Sequence, residues 1–293
     1  MKPAAFKYIE AHDEGAVVAA LSQYGGEARL LAGGQSLVPM MNFRVATPAV
    51  LIDLNAVVSL SYVRASADEL TIGAMARHAM VEDSHDVAEK CPLMHDAIRH
   101  VAHRAIRNRG TMGGSLALAY PGAEIPLILV ALGASVGLVS SRGKRTMPAH
   151  EFVRGALNTA LAEDEYVQLA QIAVPPRSAR SSFVETSRRH GDFALAAAAV
   201  VVDLDERGRV NYIRAAISGG TDAPVRLTDV EQALAGTSGD IVSLDDIAGD
   251  AVASIDVFGD HHYPEDYRRH LLRTALRRAL TECFTKAINR HVQ

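Results

Sequence analysis

The chain has few cysteines, no excess of basic residues and no long apolar run. Its 293 residues include only two cysteines, too few for a disulfide framework or for a cysteine-ligated iron–sulfur cluster, which takes about four thiolates. The net charge of -4 at pH 7 lacks the basic footprint of a nucleic-acid-binding protein. No apolar run reaches membrane-spanning length. The N-terminal segment also meets acidic residues before an apolar signal region could form, so we expect a cytoplasmic protein.

Several common catalytic signatures are missing too. Neither the G-x-G-x-x-G pattern nor the Walker pattern occurs, which disfavours a standard dinucleotide-binding fold and a P-loop ATPase. No nucleophile elbow or catalytic triad signature is present. His100 and His103 have a possible spacing for two metal ligands on one predicted helix, but no third ligand is evident, so a solvated or interface face fits better. Cys91 and Cys283 are expected to be buried small hydrophobes.

The first 57 residues alternate between strand-like and helix-like segments. The segments "FKYIEA", "ARLLAGG" and "AVLIDL" predict three strands. Between them, Asp13 is placed to cap a first helix that Gly25 ends, and Ser36 is placed to begin a second, short helix. This β-α-β-α-β pattern predicts an α/β subdomain.

The remainder of the chain predicts a mixed α/β architecture with antiparallel strands. A strand pair turned at residues 65–68 precedes an amphipathic helix over residues 95–110, in which Arg99, His103, Arg104 and Arg107 face outward. Further on, we predict a helix near "IPLILVALG", strands near "SVGLVS" and "EYVQLAQIAV", a β-ribbon turned at residues 206–208, and a long C-terminal helix. Pro175 and Pro176 mark the best linker. The predicted units are residues 1–57, 58–176 and 177–293.

Two glycine pairs in similar contexts are the most informative features. Gly33 and Gly34 stand in "LAGGQSLVPMMNFR", and Gly113 and Gly114 stand in "TMGGSLA"; a polar residue and an apolar turn follow each pair. Paired glycines leave successive backbone N–H groups uncovered, and such a nest at a helix start attracts phosphate. One pair alone is typical of an ordinary turn. Two pairs in one chain favour a diphosphate ligand or a ligand that spans two subdomains.

These stretches closely resemble the two flavin-binding signatures of the FAD-carrying medium subunit of molybdenum hydroxylases, the xanthine oxidase and carbon monoxide dehydrogenase family. The resemblance also includes "IRNRGTMGGSLALAYPGAEIPLILVALGA" and "SRRHGDFALAAAAV", and it covers nearly the whole chain. It implies a two-part N-terminal FAD-binding domain of the PCMH type, followed by a C-terminal α/β domain with an antiparallel sheet and helices. It also implies non-covalent FAD in an extended form.

The resemblance further implies which residues hold FAD. The first glycine stretch would hold the diphosphate through backbone amides and a serine hydroxyl, using Ala32, Gly33, Gly34, Gln35, Ser36 and Leu37. The second stretch would form another cradle, from Thr111, Gly113, Gly114 and Ser115. Glu124 would accept hydrogen bonds from ribityl hydroxyls, although a solvated carboxylate at a helix start explains it as well. Asp192 and Phe193 would lie near the isoalloxazine ring, with a core position as the alternative for Phe193.

Two residues depart from the family pattern. Tyr120 precedes Pro121 where the family commonly has an aspartate, and Glu185 stands where a lysine is frequent. Both changes concern the environment of the flavin ring, and with it the redox potential and the choice of acceptor. The diphosphate-binding stretches are unaffected.

The function implied by the resemblance is electron transfer within a larger oxidoreductase. FAD in this chain would receive electrons from a small [2Fe-2S] subunit, supplied by a large molybdopterin subunit that oxidises the substrate, and would pass them to an external electron acceptor. Two alternatives remain open at this point: an autonomous FAD-dependent oxidoreductase acting on a small organic substrate, and a binding module that has lost FAD. The organic substrate stays open, because its pocket would lie in another polypeptide.

Overall fold

The N-terminal strands form a parallel three-stranded sheet in the order β1-β3-β2, which confirms the β-α-β-α-β prediction. The computed structural model describes residues 2–238 and 241–291. Strand β3 lies in the middle of the sheet and all four of its residues are buried, as its unbroken apolar run requires. Asp13 caps the first helix by accepting a hydrogen bond from the N–H of Ala16. The elements of this unit are β1 (Lys7–Glu10), α1 (Glu14–Tyr24), β2 (Ala28–Leu31), α2 (Leu37–Asn42) and β3 (Val50–Asp53).

The second unit is built on an antiparallel five-stranded sheet in the order β4-β5-β10-β6-β7. The predicted turn at residues 65–68 joins its first two strands, β4 (Val63–Ala65) and β5 (Glu69–Gly73). The other strands are β6 (Ser135–Ser140), β7 (Gly143–Pro148) and β10 (Tyr166–Ala173), and a separate hairpin holds β8 (Val153–Gly155) and β9 (Asn158–Thr159). The helices are α3 (His78–Glu82), α4 (His85–Lys90), α5 (Pro92–Ile98), α6 (Arg104–Arg107), α7 (Met112–Leu118), α8 (Glu124–Ala131) and α9 (Ala149–Phe152).

The single helix predicted over residues 95–110 is wrong. Helix α5 ends at Ile98 and helix α6 begins at Arg104, and Ala102 between them adopts a left-handed backbone with φ of 44°. His100 and His103 therefore do not share a helix. Arg107, predicted to face outward, is buried instead, because its guanidinium pairs with Glu82 and donates to the carbonyls that the break leaves open.

The third unit is an antiparallel sheet covered by the C-terminal helix. Its order is β11-β12-β13-β14, and the ribbon of its two long strands turns at residues 205–209, around the predicted position. Every residue of β12 is buried, because α12 packs against one face of the strand and α8 against the other. The elements are β11 (Arg180–Thr186), β12 (Ala196–Leu204), β13 (Val210–Ser218), β14 (Val225–Arg226), α10 (Thr228–Leu234), α11 (Ile241–Ala253) and α12 (Glu265–His291).

Both cysteines are buried, as predicted, and burial raises the pKa of each thiol to about 12. They therefore stay protonated and pack as small apolar groups. Among the described helices, none is both long and apolar enough to cross a membrane. The mixed α/β architecture confirms the predicted fold class, and the three domain boundaries stay predictions.

Candidate functional site

The first glycine stretch follows the carboxyl end of β2, where parallel sheets commonly bind ligands. Gly34 has φ of 74°, which turns the chain sharply between β2 and α2. No described group accepts a hydrogen bond from the backbone N–H groups of residues 33–37. Ser36 precedes α2 as predicted but makes no side-chain cap bond. Five successive uncapped donors at a helix start suit the oxygens of a diphosphate.

The backbone of the second stretch packs directly against Gly33. A Cβ on Gly33 would lie 2.2 Å from the carbonyl oxygen of Arg109 and 2.9 Å from Cα of Gly110. Gly33 is therefore needed for the approach of two chain segments, and not, as the nest hypothesis implies, to leave room for phosphate above its own Cα. A Cβ on Gly114 would lie 3.8 Å from that of Ala32, so the two stretches meet at one place.

Arg77 ties these segments together, and no sequence motif identifies it. Its guanidinium donates to the carbonyl oxygen of Arg109 and, at 2.6 Å, to Oδ1 of Asn55. Asn55 in turn donates at 3.2 Å to the carbonyl oxygen of Ala32. Asn55 could have been suspected, because it follows the buried strand β3 at the carboxyl edge of the sheet. Burial, followed by the nearby charge of Arg109, lowers the pKa of Arg77, so two guanidinium groups lie beside the free amides.

The second stretch is not a backbone nest, so that part of the sequence interpretation is wrong. Its glycines lie in the first turn of α7, and their amides are used within the protein: Gly113 donates to Ala74 and Gly114 to Oγ1 of Thr111. The amides of Met112 and Ser115 also have carbonyl partners. Gly113 lacks a side chain because a Cβ would lie 2.6 Å from that of Ala74. Hydroxyl groups, and not amides, are what this stretch can offer a ligand.

Glu124 begins α8 and is buried, so the alternative of a solvated carboxylate is wrong. Burial raises its pKa to about 7. Glu185 lies nearby on β11, and burial followed by the charge of Glu124 raises its pKa to about 8. Its Oε2 is buried without a hydrogen-bond partner among the described residues. The two carboxyl groups can therefore share a proton near neutral pH, and a protonated carboxyl can donate as well as accept a hydrogen bond.

An exposed aromatic pair lies beyond the other end of α7. The rings of Tyr120 and Phe193 are 4.1 Å apart between centroids, and 39% and 49% of the two residues is exposed. The core position considered for Phe193 is therefore wrong. Asp192 pairs with Arg188 and Arg189 at 3.3 and 3.5 Å. Since seven helical residues rise about 10 Å, a ligand that touches both ends of α7 must be extended.

The carboxyl pair predicts a loss of stability at alkaline pH. A carboxyl whose pKa is raised in the folded state contributes its full stability below the unfolded value of 4.5, and this contribution is lost as pH rises through about 7 to 8. We expect Glu185→Gln to raise the free energy of unfolding at pH 8.5 by about 1–3 kcal/mol and to have little effect at pH 5. Urea unfolding at both pH values measures this.

The exposed turn residue Glu206 provides the control for that experiment, since Glu206→Gln should leave the pH dependence unchanged. Equal pH dependence of Glu185→Gln and the unmodified chain would contradict the prediction.

A row of free amides in a two-part α/β domain, followed by a sheet domain with a long helix, defines a flavin-carrying subunit. Residues 4–177 match the family model described as the FAD binding domain in molybdopterin dehydrogenase. Residues 181–283 match the CO dehydrogenase flavoprotein C-terminal domain. The chain belongs to the FAD-binding medium subunits of molybdopterin hydroxylases such as carbon monoxide dehydrogenase. It is an oxidoreductase flavin subunit, and FAD is its cofactor.

Individual relatives are similar over most of their length. The chain is 36% identical to 6-hydroxypseudooxynicotine dehydrogenase complex subunit alpha of Paenarthrobacter nicotinovorans, covering 98% of this chain and 97% of that one. It is 40% identical to caffeine dehydrogenase subunit beta of Pseudomonas sp. (strain CBB1), covering 80% of each. Among solved structures, quinoline 2-oxidoreductase from Pseudomonas putida 86 superposes with a TM-score of 0.93 at 33% identity, covering 98% of this chain and 100% of that chain.

Proposed function

We propose that this chain receives electrons from [2Fe-2S] clusters of a small partner subunit and passes them through FAD to an external acceptor. A large partner subunit would hold molybdopterin and oxidise the organic substrate. Membership of the flavin subunits of multi-subunit molybdenum hydroxylases supports this division of labour. A cysteine-ligated cluster takes about four thiolates, and the only two cysteines of the chain are buried. Its cytoplasmic location stays a prediction from the sequence.

The observation that carries the FAD site is the row of free amides at residues 33–37. Diphosphate oxygens accept hydrogen bonds, and charge-assisted bonds from backbone N–H groups are strong. Arg77 and Arg109 add positive charge beside the row. We propose that residues Ala32 to Leu37 hold the diphosphate, that Ser115 adds a hydroxyl, and that Thr111 acts by capping α7.

The other end of the site would hold the remainder of the cofactor. FAD, when bound, can take up electrons singly and release them in pairs. We propose that Glu124 and Glu185 bind hydroxyl groups of its ribityl chain, because at neutral pH this pair can both donate and accept hydrogen bonds. Phe193, exposed and stacked on Tyr120, would cover one side of the ring system and exclude water. Asp192, held by two arginines, would fix the loop that carries Phe193.

The relay role predicts that the isolated chain contains FAD without stoichiometric iron or molybdenum. Substrate should reduce its flavin only after the cluster-bearing and molybdenum-bearing partners are added, because electrons would then arrive across an interface. The measurement is anaerobic bleaching of flavin absorbance, for the chain alone and for the assembled complex. Quinoline and caffeine are the first substrates to test, because relatives are named for them.

Reduction of the isolated chain by dithionite serves as the control that its flavin is accessible. Rapid bleaching of the isolated chain by the substrate would contradict the relay role and favour the autonomous flavoenzyme. Bleaching only in the complex would support the relay. Reoxidation by NAD⁺, O₂, a quinone or a dye would then identify the class of acceptor.

A further inference from the structure

His78, the first residue of α3, is a buried histidine that contacts the second glycine stretch. Only 3% of the residue is exposed. Its Nε2 lies 3.0 Å from the carbonyl oxygen of Thr111 and 3.1 Å from Oγ of Ser115. Its Nδ1 is buried and has no hydrogen-bond partner among the described residues. Gly110 leaves the space that this nitrogen occupies, since a Cβ there would lie 2.8 Å from Nδ1.

These contacts determine where the ring carries its proton. The carbonyl oxygen of Thr111 can only accept a hydrogen bond, so Nε2 of His78 must be the protonated nitrogen. Burial lowers the pKa of His78 to about 4, so the ring is neutral at pH 7 and Nδ1 carries no proton. Nε2–H is therefore shared between the carbonyl of Thr111 and the hydroxyl oxygen of Ser115.

A serine hydroxyl that accepts from Nε2–H must direct its own hydrogen elsewhere. The N–H of Ser115 already donates to Thr111, and no described group accepts from its hydroxyl, so this O–H is a donor without a partner in the protein. Ser115 directly follows Gly114, which faces Ala32 at the start of the free amide row. The hydroxyl is therefore held as a donor at the place where the two stretches meet.

We propose that His78 is a positioning residue that fixes the hydroxyl of Ser115 as a hydrogen-bond donor to the FAD diphosphate. This inference rests on the proposed FAD site. A buried ring nitrogen without a partner is costly, and an apolar side chain would fill the same space without that cost. The contribution specific to histidine is the donor at Nε2.

A double-mutant cycle on FAD affinity tests the proposal. We expect Ser115→Ala to weaken FAD binding to the flavin-free full chain about tenfold. His78→Asn, whose amide reaches the position of Nδ1 and not of Nε2, should weaken it by a similar factor. The double variant should bind no more weakly than either single variant, because both remove the same hydrogen bond. His78→Gln, whose amide nitrogen reaches the position of Nε2, should restore most of the affinity.

The measurement is a titration with FAD followed by flavin fluorescence, with thermal unfolding recorded for each variant. A merely structural histidine would lower the melting temperature but would leave the effect of Ser115→Ala unchanged. If the two substitutions weaken binding independently, or if His78→Asn binds FAD normally, the proposal is wrong while the FAD site stands. An unmodified chain that takes up no FAD would instead overturn the proposed function, and this inference with it.

A measurement on the unmodified chain covers the case in which His78→Asn does not fold. Nitrogen NMR of the histidine rings should show His78 protonated at Nε2 and bare at Nδ1, with an Nε2–H signal that shifts when FAD binds. A ring protonated at Nδ1, or an Nε2–H signal that is unaffected by FAD, would overturn the proposal.

Discussion

Gly33→Val is expected to abolish retention of FAD. Any Cβ at this position would lie 2.2 Å from the carbonyl oxygen of Arg109, far closer than atoms can approach, so the two glycine stretches must separate. Separation would displace the free amides from Arg77 and from Ser115, which together form the proposed diphosphate site. Overpacking of this kind also costs about 1–3 kcal/mol of stability. The measurement is the flavin absorbance of the purified variant relative to its protein absorbance.

Gly208→Val is the control for the backbone cost of such a substitution. Gly208 has φ of 73° and a Cβ there would meet nothing within 4 Å, so its replacement strains the chain without closing a gap. We expect this variant to be less stable but to retain its flavin. Full flavin content in a folded Gly33→Val protein would contradict the assignment of the site.

The parts of the fold that the sequence predicts are those with strong local signals. Asp13 and Gly25 bound the first helix because capping depends on the nearest few residues. The ribbon of β12 and β13 follows from a long apolar run interrupted by a polar turn with Gly208. The unbroken apolar strand β3 predicts a parallel, covered sheet.

The site is predicted only as far as local pattern reaches. The glycines at positions 33 and 34 mark the amide row, but the same pattern at positions 113 and 114 misleads, because β-sheet carbonyls such as that of Ala74 take up the amides. Whether an N–H is free depends on what the fold places opposite it. Arg77 and His78 act across more than 20 and 30 residues of sequence, through Asn55 and Thr111, and no short motif records such a distance.

Helical periodicity fails over residues 95–110 for a related reason. The pattern places Arg107 on the solvent side, but the charge of Glu82, 25 residues earlier, draws it inward. Only a long-range partner explains why a buried position holds an arginine. A charge reversal at Arg107 would therefore test folding and not, as the sequence suggests, the contact with a partner subunit. The exposed neighbour Arg109 is the better position for that test.

Arg107→Met is expected to lower the free energy of unfolding by about 3–5 kcal/mol, because it leaves a charge without its partner in a poorly hydrated place. The guanidinium of Arg107 meets both carboxylate oxygens of Glu82, at 2.8 and 3.1 Å, and the two side chains are only 10% and 13% exposed. It also donates at 3.0 Å to the carbonyls of Val101 and Ala102, where the chain breaks between α5 and α6. Methionine keeps the length of the side chain but none of these donors.

Arg104→Met is the matched control, since Arg104 pairs with the same Glu82 at 2.8 Å but is 47% exposed, and such pairs contribute about 0–1 kcal/mol. Urea unfolding of both variants measures the difference. A second substitution, Glu82→Gln, should recover part of the loss in Arg107→Met, because it removes the stranded charge. A loss below about 1 kcal/mol for Arg107→Met would show that the pair is solvated and that the break at Ala102 is held by other contacts. A large loss that Glu82→Gln does not relieve would instead assign the stability to the carbonyls of Val101 and Ala102.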